Sequence, residues 1–134
     1  MTGEAAIAGE QLVLLDSVII IDHLNDIASA TTYLTSVSDR SLLSAITRAE
    51  VMTGVARPNF ERVRQLLDNF HCIAIDVRIA DLAAELRRTW KWRLPDALQA
   101  AAAISVGGQL ATRNTRDFDP SIHPFVVVPY RLDS

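Results

Sequence analysis

The sequence predicts an α/β fold of three layers, an α/β/α sandwich built on a central, mostly parallel sheet. Short apolar runs alternate with longer stretches of helical period, an alternation typical of parallel sheets. The predicted strands are 12–15, 42–46, 72–75, 109–111 and 125–128. With 134 residues, 49% hydrophobic content and no repeat or linker, the chain is expected to form a single domain over 1–134. Residues 1–11 are expected to be a flexible lead-in.

Helices are predicted between the strands because apolar residues recur there every three or four positions. The helix before the third strand carries the stripe Val63, Leu66, Leu67 and Phe70. The helix after that strand carries Ile79, Leu82, Ala83, Leu86 and Trp90. Segment 96–106 is apolar on nearly every face, which predicts a helix covered on both sides, and Gly107 and Gly108 are expected to end it.

Composition narrows the classes of function. The 13 basic and 16 acidic residues give a net charge of -3, so any nucleic-acid contact needs a local basic patch and bound cations. Cys72 is the only cysteine, and three scattered histidines form no metal-binding pattern, which disfavours disulfide frameworks and zinc modules. No apolar run approaches the ~20 residues of a membrane span. A cytoplasmic protein with no membrane contact is expected.

Four acidic residues are expected at one rim of the sheet. Asp16 follows the first strand, Glu50 follows the second, Asp96 opens a helix after Pro95, and Asp117 lies in the loop after the fourth strand. Open parallel sheets bind ligands at this carboxyl-end rim. Crowded carboxylates repel one another unless a cation neutralises them, and an all-oxygen set suits Mg²⁺ or Mn²⁺. The cluster predicts metal-dependent hydrolysis of a phosphodiester.

Each acid taken alone also has a structural explanation. Asp16 could simply cap the helix that starts at Ser17. Thr47 and Glu50 have the spacing of a capping box, in which each side chain satisfies a backbone donor of the other. Their joint placement at one rim is what favours a shared site.

The same alternatives apply to the later acids. Asp96 could only stabilise the positive end of its helix dipole. Asp117 and Asp119 could be ordinary turn residues before Pro120. Either of those two could complete the site, and Asp117 is the preferred ligand.

The ordered motifs resemble the PIN-domain ribonucleases, and among them the VapC-type toxins of type II toxin-antitoxin pairs. The matching segments are 14–17 (LLDS), 47–50 (TRAE), 94–97 (LPDA) and 112–118 (TRNTRDF). Many members carry Asn where this chain has Val18. The resemblance implies an Mg²⁺- or Mn²⁺-dependent endoribonuclease that acts on RNA, forms homodimers and is inhibited by a cognate antitoxin protein. It also implies catalytic and metal-binding roles for the four acids.

A basic and aromatic segment, 87–93, stands immediately before the third motif. It contains four cationic side chains, which can bind phosphates, and two indole rings, which can stack on bases. We expect it to line the RNA path, with Trp92 and Arg93 contacting substrate. Alternatively, Trp90 continues the buried helical stripe and the cations form a solvated face.

Motif residues Ser17 and Asn114 are further expected substrate contacts. Arg113 and Arg116 flank Asp117 and could hold a phosphate, although arginines beside acids in loops are as often simple ion pairs.

Two other functions compete with the nuclease. A signalling receiver would use Asp76, after the third strand, as phosphoacceptor, but the first strand lacks the acid pair expected of a receiver. A non-catalytic interaction protein would use the acids only as caps and turn residues.

Overall fold

The computed structural model describes residues 11–132 and confirms the three-layer arrangement around a parallel sheet. Its strands are β1 (Val13–Leu15), β2 (Ser41–Ser44), β3 (His71–Ile73), β4 (Gln109–Ala111) and β5 (Val126–Val127). They lie in the order β3-β2-β1-β4-β5, and every neighbouring pair is parallel. Apart from Gln11, the predicted lead-in lies outside the described residues.

Six α-helices connect and cover the strands. They are α1 (Ser17–Leu24), α2 (Ala28–Ser36), α3 (Ala45–Thr53), α4 (Phe60–Leu67), α5 (Val77–Trp90) and α6 (Leu94–Ser105). The second predicted strand was too long, since residues 45 and 46 open α3 instead. None of the helices in residues 11–132 is both long and apolar enough to cross a bilayer.

Two hydrophobic cores lie on opposite faces of the sheet, as side-chain alternation along a strand requires. Leu14 of β1 packs with α5 and α6 on one face. Its neighbours Val13 and Leu15 pack with α1, α3 and α4 on the other face. The central strand is therefore buried on both sides, which explains its uninterrupted apolar sequence.

Helix α6 packs closely because its buried face consists of alanines, with Ala97 and residues 100–103 fully buried. Gly107 ends the helix in the left-handed region at φ 66°, where a side chain is disfavoured. Glycine is needed at position 108 for a different reason, since a Cβ there would lie 2.7 Å from the Leu12 carbonyl oxygen. Both predicted stop residues are confirmed.

The strand order contradicts the receiver alternative. Receiver-type folds order their strands 2-1-3-4-5. Here β1 is central, with β2 and β3 added on one side of it and β4 and β5 on the other. Asp76 caps α5, where its Oδ1 accepts a hydrogen bond from the Ile79 N–H at 2.9 Å. The carboxyl ends of β1 and β4 therefore mark the expected ligand site.

Candidate active site

Asp16 lies directly after β1 and caps the amino end of α1. Its Oδ1 accepts a hydrogen bond from the Ser17 backbone N–H at 2.8 Å, and its Oδ2 accepts one from the Thr112 hydroxyl at 2.6 Å. The Gln99 amide adds a longer bond to Oδ1 at 3.4 Å. Burial raises the pKa of the Asp16 carboxyl, and these donors offset part of that rise. Asp16 is thus a cap and also a carboxylate held in one orientation.

Gln99 is a buried polar side chain within the alanine-rich helix α6. Its Oε1 accepts a hydrogen bond from the Ser44 hydroxyl at 2.6 Å, and its amide donates to the Thr47 hydroxyl. The Thr47 hydroxyl in turn donates to the Leu15 carbonyl at 2.9 Å. A buried network of this kind is stable only when its members are satisfied. Through it, Gln99 ties the β2–α3 junction to Asp16.

Asp96 occupies the first turn of α6, where the positive end of the helix dipole favours a carboxylate. Its side chain is only 13% exposed. Within residues 11–132, its buried Oδ2 has no hydrogen-bond partner. The Arg93 Nε lies 3.7 Å from this oxygen, beyond hydrogen-bond distance. Asp96 therefore presents an unsatisfied, nearly buried carboxylate oxygen.

The other three acids act electrostatically on Asp96. Burial raises the pKa of the Asp96 carboxyl most strongly, and the negative charge of Asp16 raises it further. The charges of Asp117 and Glu50 act in the same direction, whereas Arg93 opposes them. Such coupling needs short separations. The four acids thus lie in one neighbourhood, although no three Asp, Glu, His or Cys side chains among residues 11–132 are grouped closely enough to hold a metal ion.

Glu50 lies in the second turn of α3, and the predicted capping box is wrong. The helix begins at Ala45, and its cap is Ser44, whose Oγ accepts the Thr47 backbone N–H at 3.1 Å. Thr47 is buried, and its hydroxyl bonds to β1 instead of to the local backbone. Glu50 has no capping role, and its half-buried side chain remains at the rim.

The loop after β4 directs Asp117, and not Asp119, toward the acidic rim. The Asn114 amide donates to Asp117 Oδ2 at 3.1 Å, and the Asp117 N–H returns a bond to Asn114 Oδ1 at 3.4 Å. Asp119 is occupied in the next turn, where its Oδ1 accepts from the N–H and hydroxyl of Ser121. Those bonds lower the pKa of Asp119. Asn114 is therefore a positioning residue for Asp117.

The two tryptophans occupy environments opposite to those expected. Trp92 is 5% exposed, whereas Trp90 is 43% exposed. Helix α5 ends at Trp90, and Lys91 adopts a left-handed conformation at φ 62° that turns the next side chain inward. The Trp92 ring packs against Phe118, with ring centroids 4.8 Å apart, and its indole N–H donates to the Asp117 carbonyl at 2.9 Å. Trp92 thus supports the loop from within, and its expected stacking on RNA is wrong.

An open cleft of about 450 Å³ is lined by Arg93, Asn114, Arg116 and one of the four acids, Asp117. The Arg93 side chain is 81% exposed, and Arg116 is also exposed. Guanidinium groups form strong, directional hydrogen bonds with phosphate oxygens. The cleft can therefore accept a phosphodiester beside the carboxylates.

Arg113 forms an ion pair with Asp22, which confirms the structural alternative for this arginine. Its Nε and Nη2 donate to the two Asp22 oxygens at 2.6 and 2.9 Å, and the Tyr130 hydroxyl donates to Oδ2 at 2.8 Å. Burial raises the pKa of Asp22, but the bonds from Arg113 and Tyr130 outweigh it and leave the pKa lowered. Because Arg113 lies between Thr112 and Asn114, the pair anchors the loop that holds the site.

Comparison with known proteins identifies the family. The sequence profile of the PIN domain matches residues 13–119, most of the chain. This chain belongs to the PIN domain family. A toxin-antitoxin complex from Klebsiella pneumoniae contains a chain that is 36% identical, with a TM-score of 0.84. That match covers 90% of this PIN domain chain and 99% of the other.

Two further structures have the same PIN domain fold. FitAcB from Neisseria gonorrhoeae contains a chain 25% identical, with a TM-score of 0.75, covering 90% of this chain and 100% of that one. VapBC2 from Rickettsia felis, bound to a DNA fragment from its promoter, shows the fold at 21% identity and a TM-score of 0.72. Coverage there is 87% of this chain and 96% of that one. A search of curated proteins found no significant match.

Sequence reasoning missed the residues that orient the PIN domain's first acid. Gln99 carried a usable signal, because a single amide inside an otherwise apolar helix needs buried partners. Thr112 and Ser44 gave little sequence signal of this role, since threonine and serine are common at strand ends. Their role depends on which strands are neighbours, and β4 lies beside β1 only in the folded sheet.

Proposed function

We propose that this PIN domain protein is a divalent-metal-dependent endoribonuclease whose catalytic and metal-binding residues are Asp16, Glu50, Asp96 and Asp117. The observation that carries the proposal is the Asp96 carboxylate, which is nearly buried and has one oxygen without a partner. Arg93 is mostly exposed and its Nε lies 3.7 Å from this oxygen, so it leaves Asp96 Oδ2 without a hydrogen bond. A nearly buried anion beside other anions is costly unless a further positive group binds it. A carboxylate that only capped a helix or stabilised its dipole would not need a nearly buried oxygen without a hydrogen-bond partner.

A cation of the Mg²⁺ or Mn²⁺ type fits this donor set. All candidate ligands are carboxylates, which suit hard divalent cations. Mg²⁺ is usually held by one or two carboxylates and keeps several waters, so an open cluster suits it better than a closed cage. Asp16 and Asp96 would be the principal ligands, with Asp117 and Glu50 beside them. When bound, the cation supplies positive charge for a phosphate and lowers the pKa of water.

The chain's own residues bind and orient the RNA. Arg93 and Arg116 line the cleft, and their positive charges offset the repulsion between the acidic rim and a phosphodiester. The Asn114 amide and the Ser17 hydroxyl are proposed as additional substrate contacts. Trp92 contributes indirectly, because its indole bond to the Asp117 carbonyl supports the loop. Catalysis then depends mainly on positioning and charge.

We further propose that the protein is the toxin of a toxin-antitoxin pair. The support is its likeness to the Klebsiella pneumoniae toxin-antitoxin complex across nearly the full length of both chains. A cognate antitoxin protein would then cover the acidic rim and block RNA access. A homodimer and action in the cytoplasm, where RNA is met, belong to the same proposal.

The test is cleavage of single-stranded and structured RNA with Mg²⁺ or Mn²⁺, and with a chelator. We expect cleavage with either cation and none after chelation. Asp16→Asn and Asp96→Asn should each lower the cleavage rate by more than about 100-fold, because even outer-shell partners of a metal site are worth 10–100-fold.

Matched controls come from acids outside the rim. Asp119→Asn and Asp76→Asn should cleave RNA at the parent rate, since these residues serve a turn and a helix cap. Cleavage that persists after chelation, or in both rim variants, would contradict the metal-nuclease mechanism. Absence of cleavage in every condition would favour the non-catalytic interaction protein.

A further inference from the structure

We propose that a basic groove at the junction of α5 and α6 binds the phosphate backbone of single-stranded RNA outside the cleavage site. The proposal rests on the nuclease function above and extends the bound RNA beyond the acidic cleft. The groove has a volume of about 540 Å³, and its walls are Ala84, Arg87, Arg88, Lys91, Trp92 and Leu94.

The groove's positive charge comes from the carboxyl end of α5. Arg87 and Arg88 follow Ala84 by three and four positions, a spacing that places them on the same side of the helix, and Lys91 is the residue that caps its end. All three are exposed, and none lies within ion-pair distance of a carboxylate in residues 11–132. Arg87 Nε donates to the Trp92 carbonyl at 3.1 Å, which leaves its charge unneutralised. The groove is thus a local positive patch in a chain of net charge -3.

The groove and the cleft are lined by adjacent residues of the chain. Trp92 and Leu94 line the groove, and Arg93, which lies between them in sequence, lines the cleft. We therefore propose that a strand bound in the cleft extends past Arg93 toward Lys91 and Arg88.

Charge arrangement favours an RNA backbone as the occupant. The carboxylates that raise the pKa of Asp96 also repel a polyanion, so a substrate must be held by cations placed beside them. Arg88 and Lys91 line the same groove, and a strand with a phosphate at every nucleotide can contact both. Contacts to phosphates alone are sequence-tolerant. An acidic protein segment is the competing occupant.

The test is RNA binding by the double variant Arg88→Gln with Lys91→Asn, made in the full chain carrying Asp96→Asn to stop cleavage. Asn is chosen at position 91 because it tolerates the left-handed conformation. Binding of a labelled single-stranded RNA is measured by fluorescence anisotropy over a range of salt. We expect about tenfold weaker binding and a log–log salt slope smaller by about 1.4, at about 0.7 per phosphate contact.

Two matched variants control for net charge and for folding. Arg57→Gln with Arg62→Gln removes two exposed cations from the opposite face of the sheet and should leave RNA affinity unchanged. Arg88→Lys with Lys91→Arg keeps both charges in the groove and should bind RNA like the parent.

The outcomes separate the groove from the nuclease. A groove variant with the parent affinity and salt slope overturns the proposal, even if it loses affinity for an acidic protein. Equal weakening by the Arg57 and Arg62 control also overturns it, because net charge would then be the cause. Groove-dependent RNA binding in a protein that never cleaves RNA supports the groove and rejects the nuclease.

Discussion

The two best-defined carboxylates of the rim are held in opposite ways. Asp16 accepts hydrogen bonds from Ser17, Thr112 and Gln99, so both of its oxygens have partners. Asp96 is less enclosed, yet its buried Oδ2 has no hydrogen-bond partner within residues 11–132. The protein thus supplies hydrogen bonds to both oxygens of Asp16, whereas Asp96 Oδ2 has only the Arg93 guanidinium nearby, with Nε at 3.7 Å.

That difference would allow a small domain to prepare the proposed cation site. Hydrogen bonds orient Asp16 before any ligand arrives, which reduces the entropy that binding would otherwise lose. In the proposed metal site, the unsatisfied Asp96 would supply the affinity, because binding a cation would relieve its nearly buried charge. A site built only of satisfied acids would be stable but would attract the cation weakly.

Loss of the Asp16 scaffold should have the largest effect among the predictions that test this contrast. Gln99→Met keeps similar bulk but removes the amide that links Ser44, Thr47 and Asp16. We expect RNA cleavage to fall about 10–100-fold, as for outer-shell partners of metal sites. The free energy of unfolding should fall by about 1–3 kcal/mol, because buried hydroxyl groups lose a partner.

Cleavage kinetics and urea denaturation check this prediction. Gln65→Met, on the exposed side of α4, is the matched control and should leave both quantities near the parent values. Cleavage within twofold of the parent in Gln99→Met would show that Asp16 is oriented without the scaffold.

A smaller effect on activity is expected from the anchor of the loop. Asp22→Asn breaks the ion pair with Arg113 and should lower the free energy of unfolding at neutral pH by about 2–3 kcal/mol. This is less than the 3–5 kcal/mol of a fully buried pair, since Arg113 remains 27% exposed. Cleavage should fall by less than about tenfold, because Asn114 still holds Asp117.

The difference in unfolding free energy between the parent and Asp22→Asn should change with pH in a definite direction. The folded-state pKa of Asp22 lies below the usual Asp value of 3.8, so its stabilisation is full above that value. It is lost as pH falls through the lowered pKa. The gap in unfolding free energy between parent and Asp22→Asn should therefore shrink below about pH 4. A gap that stays constant down to the acid transition would contradict the ion pair's role.

The local sequence was enough to predict which acids follow strand ends and helix starts, but not which side chains donate hydrogen bonds to them. Asp16 and Asp96 follow from a strand end and a proline-started helix, signals that lie within a few residues. The cap of α3 could not be chosen this way, because Ser44 and Thr47 are both good caps. Thr47 is excluded only because β1 places the Leu15 carbonyl beside its hydroxyl.

The tryptophans show a second limit of periodic patterns. Helical spacing predicts Trp90 in the buried stripe, but α5 ends at that residue, and its ring covers the buried Trp92 and His123 from the outside while remaining 43% exposed. The left-handed Lys91 then places Trp92 among Phe118 and His123. The direction of the Trp92 side chain thus follows a residue with positive φ, and lysine gives no local sequence signal for that conformation.

We propose that Asp96 is the acid that a bound cation completes, and thermal unfolding with added Mg²⁺ tests this claim directly. We expect Mg²⁺ to raise the Tm of the parent and of Asp119→Asn, by the equivalent of about 2.7 kcal/mol at one hundred times Kd. Asp96→Asn should be more stable than the parent without Mg²⁺, because a buried charge is removed, and should not respond to the ion. An equal rise of Tm in Asp96→Asn and in the parent would contradict the claim.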